Sequence, residues 1–370
     1  MTNNKILHVG KFWDPYKGGI ETFLEGLTAY LSANNFEQTI LVFAGNNQRK
    51  KSNNTVVIKC KSINIFGKLP ISLSYFREFK RQISKHKIIH VHAPNPFAFL
   101  VIFLLRKSIA KQNLNLIIHW HSDLVGFHVL YYLFKNLEKF VIEKISTKII
   151  TTSHNYIDTS QVLMNSAARI RVIPNFLPVA IQNSHYSKCS EPRSKSFTML
   201  CVGRNTKYKG YDKFIKNLYL MDSDFKLIIV GKDVKKLEKI TKNSPYCNMI
   251  ELKEDVNFND LLKIYRSADI FVLPSVSRAE AFGIVLLEAM YFGLPSVVFN
   301  IPGSGVTEVI RNEINGLTAD FLDYPHFFQC INEIRDNESL REQLVFNTKN
   351  VILEYDSDTI CKRFVDVYNE

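Results

Sequence analysis

A strand-like run ending in Leu273-Pro274-Ser275 leads into Ser277-Arg278-Ala279-Glu280-Ala281-Phe282-Gly283-Ile284-Val285-Leu286-Leu287-Glu288-Ala289. Glu280 falls in the loop before a helix, Gly283 near its first turn and Glu288 further along. A glycine there lets a phosphate approach the free N–H groups of the helix start, which stabilises an anion by about 0.3–1 kcal/mol. Two carboxylates so spaced can hold hydroxyl groups at two points along one extended ligand. Spacing alone equally allows Glu280 to favour the helix start and Glu288 to be a solvated face residue.

Another strand-like run is followed by Val202-Gly203-Arg204-Asn205-Thr206-Lys207-Tyr208-Lys209-Gly210. An arginine fork and a lysine five residues on can clamp a diphosphate and neutralise charge as a leaving group departs. An exposed basic loop is the plainer alternative. Lys17-Gly18-Gly19-Ile20-Glu21, between the first strand and first helix, suits close approach of backbone to a phosphate or sugar, or a plain tight turn. His119-Trp120-His121-Ser122-Asp123 closes a further strand, and alternation puts His119 and His121 on one side. His121 and Asp123 could hold sugar hydroxyls or shuttle a proton, with a satisfied core histidine the equal alternative for His121 and the better reading for His119.

No metal site is expected. The cysteines (Cys60, Cys189, Cys201, Cys247, Cys330, Cys361) form no C-x-x-C pair, which fits buried hydrophobes in a reducing cytoplasm. Two D-x-D triplets can in general bind a metal–diphosphate. Asp222-Ser223-Asp224 sits in a turn at the amino edge of a sheet, and Asp356-Ser357-Asp358 opens a terminal helix, where Asp is a common cap.

The elements that must position these residues alternate. Lys5–Val9, Thr39–Phe43, Thr55–Ile58, Ile88–Val91, Leu116–Trp120 and Lys148–Thr152 read as strands, with Ile20–Ser32, Tyr75–Lys85 and Val129–Lys144 as helices between them. After a polar stretch the alternation restarts. Strands at Phe197–Val202, Lys226–Val230, Ile270–Leu273 and Ser296–Phe299 are interleaved with helices at Tyr211–Leu220, Asp260–Ser267 and Gly283–Phe292. Such alternation predicts an α/β chain of two Rossmann-like, doubly wound domains. The expected divisions are 1–182, a linker at 183–196, 197–352, and a last segment at 353–370.

The 370 residues carry a net charge of +12, unevenly spread. Residues 1–190 hold 24 Lys+Arg against 9 Asp+Glu, and residues 191–370 hold 23 against 26. With no nucleic-acid-binding motif, an anionic membrane surface or a polyanionic lipid-linked acceptor explains the basic half better than nucleic acid does. Lys80, Arg81, Lys85, Lys87, Arg106 and Lys107 are the candidate contacts. The longest apolar run, Phe97–Leu105, is nine residues where a membrane span needs about 20, and reads as a buried helix. No secretory signal is expected, because Met1–Lys5 leads straight into a strand.

Taken together, Glu280-x7-Glu288 with Phe282-Gly283, preceded by Gly203-Arg204-x4-Lys209-Gly210, resembles the group 1 (family 4) retaining glycosyltransferases. Gly18-Gly19, His121-Ser122-Asp123, Ile173-Pro174-Asn175, Gly293-Leu294-Pro295 and Asn315-Gly316-Leu317 extend the match from about residue 6 to 320. The stretch His119 to Val125 is similar to the strand end of bacterial surface-polysaccharide mannosyltransferases. The chain departs from the family pattern at Asn205, usually leucine, and at Ser304-Gly305, commonly Gly-Gly. Neither departure is expected to touch the phosphate clamp.

The resemblance implies a GT-B architecture, two Rossmann-like domains facing each other across a cleft, with a final helix crossing back onto the first. By the family's pattern Arg204 and Lys209 hold the donor diphosphate. The backbone of Phe282, Gly283 and Ile284 meets the phosphates, Glu288 takes the ribose hydroxyls and Glu280 contacts the transferred sugar. His121, with Asp123 near it, would lie close to that sugar, and Gly18-Gly19 would border diphosphate and acceptor. The implied reaction moves a hexose, mannose-type favoured, from a nucleoside diphosphate to a glycan or lipid-linked oligosaccharide hydroxyl with retention and without metal. GDP-mannose is favoured over a UDP-sugar as donor, the base being read around Glu251 to Val256. The enzyme is expected in the cytoplasm, peripheral on the inner face of the membrane. A sugar-nucleotide epimerase of the same architecture and a non-catalytic scaffold are the rivals.

Overall fold

The computed structural model describes residues 5–13, 18–65, 69–123, 128–160, 162–184, 196–221 and 224–370. Lys17, Leu124-Val125, Asp222-Ser223 and most of the expected linker (185–195) lie outside them. Contacts divide the chain into two compact units, Met1–Pro178 with Ser357–Glu370, and Val179–Asp356.

The first unit has strands β1 (Ile6–Val9), β2 (Gln38–Ala44), β3 (Gln48–Ser52) and β4 (Thr55–Lys61), then a separate antiparallel pair, β5 (Ile63–Ile65) and β6 (Leu69–Ile71). It continues with β7 (Ile88–Ala93), β8 (Asn115–Trp120), β9 (Lys148–Thr151) and β10 (Ile170–Val172). The main sheet runs β10-β9-β8-β7-β1-β2-β4-β3, parallel except for the antiparallel β3–β4 pair at one edge. β3 and β10 were not expected. The sequence Gln-Arg-Lys-Lys-Ser of β3 has no apolar alternation because every side chain is exposed. The apolar run forms part of helix Pro96–Lys111, which is not buried all round, since Leu104 is 55% exposed.

The core of this unit is unusual. His8, His90, His92, His119 and His121 are all buried; His8 stands beside His90 and His92 beside His119 in the strand register. Helix Gly19–Ala33 covers them with Phe23, whose ring lies 4.9 Å from His119 and 5.2 Å from His121. Helix Ser357–Asn369 adds Phe364, 5.3 Å from His119, and Tyr368, whose hydroxyl bonds His90 Nδ1 at 2.7 Å. His119 is not the satisfied core histidine expected, because neither ring nitrogen has a hydrogen-bond partner among the described residues.

The second unit has β11 (Phe197–Val202), β12 (Phe225–Val230), β13 (Ile250–Lys253), β14 (Ile270–Leu273), β15 (Ser296–Phe299) and β16 (Gly316–Ala319). They form one parallel sheet in the order β13-β12-β11-β14-β15-β16. The order reverses between β11 and β14, the switch point at which doubly wound sheets bind ligands. The expected helix Tyr211–Leu220 is an α-helix only to Lys216, followed by a 3-10 turn at Leu218–Leu220. Asn217 ends it by placing its own side-chain amide on the Lys213 carbonyl, 2.9 Å away.

Burial lowers the pKa of His8, His90, His92 and His119 well below 6.5 and that of His121 to about 3. The unfolded chain therefore binds more protons than the folded one as pH falls from 6.5 towards 3, so stability present above 6.5 is lost on acidification. Each histidine contributes a slope of up to about 1.4 kcal/mol per pH unit. Urea unfolding at pH 7.5, 6.5 and 5.5 should show a loss of about 2 kcal/mol between the first two and of about 5 kcal/mol more by the third. Equal stability at 6.5 and 5.5 would contradict the buried neutral cluster.

Candidate active site

Two loops leave the carboxyl edge of the second sheet at its switch point, Gly203–Gly210 after β11 and Pro274–Gly283 after β14. They are stitched together. The Val276 N–H donates to the Tyr208 carbonyl at 2.7 Å. Gly210 has φ +71°, and a Cβ there would lie 2.2 Å from the Pro274 carbonyl oxygen, so only glycine fits.

The stitching brings Lys209 against Glu280. Nζ lies 2.6 Å from Oε2, with the two side chains 7% and 9% exposed. Ser275 Oγ donates to the same oxygen at 2.9 Å. Burial is the largest influence and opposes the Lys209 charge, but Glu280, with Tyr208 and Cys201, raises the lysine's pKa on balance, so the ammonium persists. Glu280 is held from behind as well. The Ser304 hydroxyl donates to its backbone carbonyl, and the Gly305 N–H donates to the Ala281 carbonyl at 2.8 Å. The departure at Ser304 therefore does bear on the site.

Beyond Phe282, which is buried against Tyr355, the chain turns at Gly283 (φ +80°) into helix Ile284–Tyr291. The Leu286 N–H already donates to the Gly283 carbonyl at 2.8 Å, which leaves the Ile284 and Val285 N–H groups at the helix start as donors for an anion. Glu288 is not a solvated face residue. It accepts from the Tyr265 hydroxyl at 2.7 Å, and burial raises its pKa against the opposing pull of Tyr265 and Lys209. Arg204 is exposed at the end of β11, and Asn205 is tied to the next loop through Lys232 and Asp233 carbonyls. Glu251 forms ion pairs with Lys226 at 3.0 Å and Lys253 at 2.5 Å. Ser304 and Tyr265 have no sequence signal, because each acts on a residue more than twenty positions away; Ser275 acts on Glu280 five residues on, within the loop itself.

In the first unit, His121 Nε2 lies 3.1 Å from His92 Nδ1. Burial pushes its pKa down to about 3, so in this structure the ring is neutral. Asp123 is committed to the fold: its Oδ1 accepts from Trp120 Nε1 at 2.9 Å and from Ser160 Oγ at 3.1 Å. Gly18 caps helix Gly19–Ala33 in extended backbone (φ −153°), and a Cβ would meet only the flexible end of Glu21. That geometry does not require glycine. Asp356 accepts from Gln182 at 2.9 Å just before the terminal helix.

Two doubly wound units, one with two loops joined at its switch point, make an α/β chain of the GT-B fold class. The structure of Anabaena HepE in complex with UDP is similar to this one, with a TM-score of 0.78 over 99% of each chain at 17% identity. A family model described as glycosyl transferases group 1 matches residues 184–351, and one described as Glycosyltransferase Family 4 matches residues 17–180. The chain belongs to this family of glycosyltransferases. Among its relatives are the O-antigen chain mannosyltransferase C of Escherichia coli, 25% identical over 98% of each chain, and the D-rhamnosyltransferase WbpZ of Pseudomonas aeruginosa. The latter is 24% identical over 75% of this chain and 72% of that protein.

Removing one member of a buried ion pair strands the other charge, at a cost of about 3–5 kcal/mol. Lys209→Met should therefore destabilise the protein by that order, and adding Glu280→Gln should recover most of the loss. Denaturant melts of the two single variants and the double variant give the coupling directly. Additive losses would mean that the two groups do not act as a pair.

Proposed function

We propose that the protein transfers a hexose, mannose-type favoured, from a nucleoside diphosphate to a glycan or lipid-linked hydroxyl in surface-polysaccharide synthesis, with retention and without metal. The observation that carries this reading is the Lys209–Glu280 pair at the carboxyl ends of β11 and β14, beside the start of helix Ile284–Tyr291. A lysine, helix N–H groups and a fixed carboxylate side by side match a leaving diphosphate joined to a sugar. The relatives named as O-antigen mannosyltransferase and D-rhamnosyltransferase support the sugar class. HepE, solved with UDP, supports a nucleotide donor while leaving GDP as the proposed base on the mannosyltransferase likeness alone.

In this reading Arg204 and Lys209 take the diphosphate, and the backbone at Phe282, Gly283 and Ile284 meets its oxygens. Glu288 takes the ribose hydroxyls, with Tyr265 orienting it. Glu280 contacts the sugar, His121 hydrogen-bonds it in neutral form, and Gly18-Gly19 borders diphosphate and acceptor. Asp123 shapes the strand end through Trp120 and Ser160. The bond from the anomeric carbon to phosphate oxygen breaks as the acceptor oxygen bonds the same face. The departing phosphate takes the acceptor's proton. Negative charge grows on that phosphate, where Lys209 and the helix start oppose it.

Release of nucleoside diphosphate across a donor panel with lipid-linked glycan acceptors tests the reaction. GDP-mannose should be turned over best, with no product formed without acceptor and no loss of rate in EDTA. Glu280→Gln, assayed at a temperature where denaturant melts show it folded despite the stranded Lys209 charge, should cut turnover at least about 100-fold. Near-normal turnover by that variant removes the site assignment. Product without acceptor points to an epimerase, and greater thermal stabilisation by UDP than by GDP reverses the base.

Membrane association is the second part of the proposal. Among the described residues no helix is long and apolar enough to cross a membrane. Leu104 and Phe140 are exposed on packed helices Pro96–Lys111 and His128–Lys144, where the Phe103 and Phe140 rings lie 5.4 Å apart. Exposed Lys107 and Lys144 lie on the same helices. Each cation near an anionic surface contributes about 1 kcal/mol. Co-sedimentation with anionic vesicles, reversed by salt, is expected; equal binding to neutral vesicles counts against it.

A further inference from the structure

The imidazoles of His8, His90 and His92 are 0%, 0% and 1% exposed. Strand pairing sets His8 beside His90, and His92 follows two residues along the same face of β7. One ring nitrogen from each of the three lies within 4.8 Å of the others. His8 Nδ1 and His92 Nε2 are 3.4 Å apart. That is long for a hydrogen bond, but it equals the separation of roughly 3.3–3.4 Å between nitrogens that share a tetrahedral ion at about 2.0–2.1 Å.

The outer nitrogens are already oriented. His90 Nδ1 is bonded to the Tyr368 hydroxyl at 2.7 Å, and His92 Nδ1 lies 3.1 Å from His121 Nε2. Such partners fix ring orientation and tautomer and turn Nε2 towards an ion. His90 Nε2 has no hydrogen-bond partner among the described residues. Neutral imidazole is the form that coordinates such an ion. An all-imidazole set excludes magnesium and calcium, which need oxygen ligands, and suits a borderline transition ion.

We propose that His8, His90 and His92 bind one transition ion of the Zn2+ class inside the first unit, where it joins β1 to β7 and, through Tyr368, to the terminal helix. It is a structural ion, and the transfer reaction does not use it. A neighbouring triad, His92, His119 and His121, shares one ligand with it. That second triad would take His121 from the sugar contact read above. A third cluster, Asp320, Asp323 and His326, is mostly exposed, and Asp323 caps a helix through the His326 N–H.

The test is refolding of the whole chain from denaturant, once with Zn2+ alone and once with a chelator. Bound metal is counted by mass spectrometry after desalting, and melting temperature is measured. The zinc-refolded protein should hold close to one equivalent and melt at least about 5 °C higher than the chelator-refolded one. Cobalt in place of zinc should give visible bands that are absent from the His8→Asn and His90→Asn variants. His8→Asn and His90→Asn should each retain at least about tenfold less metal, while His326→Asn retains it all. Less than about a tenth of an equivalent in the wild type overturns the proposal without reference to any variant. Full retention by His8→Asn overturns it in favour of the neighbouring triad. None of these readouts involves glycosyl transfer, so the result is independent of the proposed reaction.

Discussion

The contact between Lys209 and Glu280 sets the geometry of everything around it. Neither charge is tolerable alone at that depth, because desolvation of a single ion costs several kcal/mol. Each is admitted only with the other at 2.6 Å, so the loops after β11 and β14 must hold one separation. Gly210 lets those loops touch, and the Tyr208–Val276 hydrogen bond closes them. Ser275 and Ser304 then fix Glu280 at its carboxylate and its carbonyl. A site held this way needs little reorganisation when a ligand arrives, which is the condition under which fixed charges act most strongly.

The second carboxylate shows the contrast. Glu288 has a neutral partner, Tyr265, where Glu280 has a cation. Burial raises the pKa of Glu288. Two glutamates eight residues apart are thus held by different partners.

Much of this was legible beforehand. The β-branched runs of β1, β7, β8, β11, β12, β14 and β15 announce themselves, since buried parallel strands are apolar on both faces. The loops after β11 and β14 follow from chain order, and so did attention to Arg204, Lys209, Glu280 and Gly283. What sequence could not reach were pairings set by packing. Lys209 and Glu280 are far apart in the chain, Ser304 carries no charge or spacing that points to Glu280, and Tyr265 is one residue in an ordinary amphipathic helix. The histidines of β7 are hidden in Ile-Ile-His-Val-His-Ala, which reads as an ordinary strand; only lateral pairing with β1 and β8 turns five imidazoles into a cluster. β3, β13 and β16 escaped because they are short or polar.

The polar edge strand β3 has a further meaning. A parallel sheet with an open margin is a template on which another chain can add, and such growth leads to aggregates. This sheet ends instead on Arg49, Lys50 and Lys51, all exposed on an antiparallel strand. A second molecule approaching that border edge to edge meets a row of like charges, so the strand serves as a guard on the solubility of the sheet.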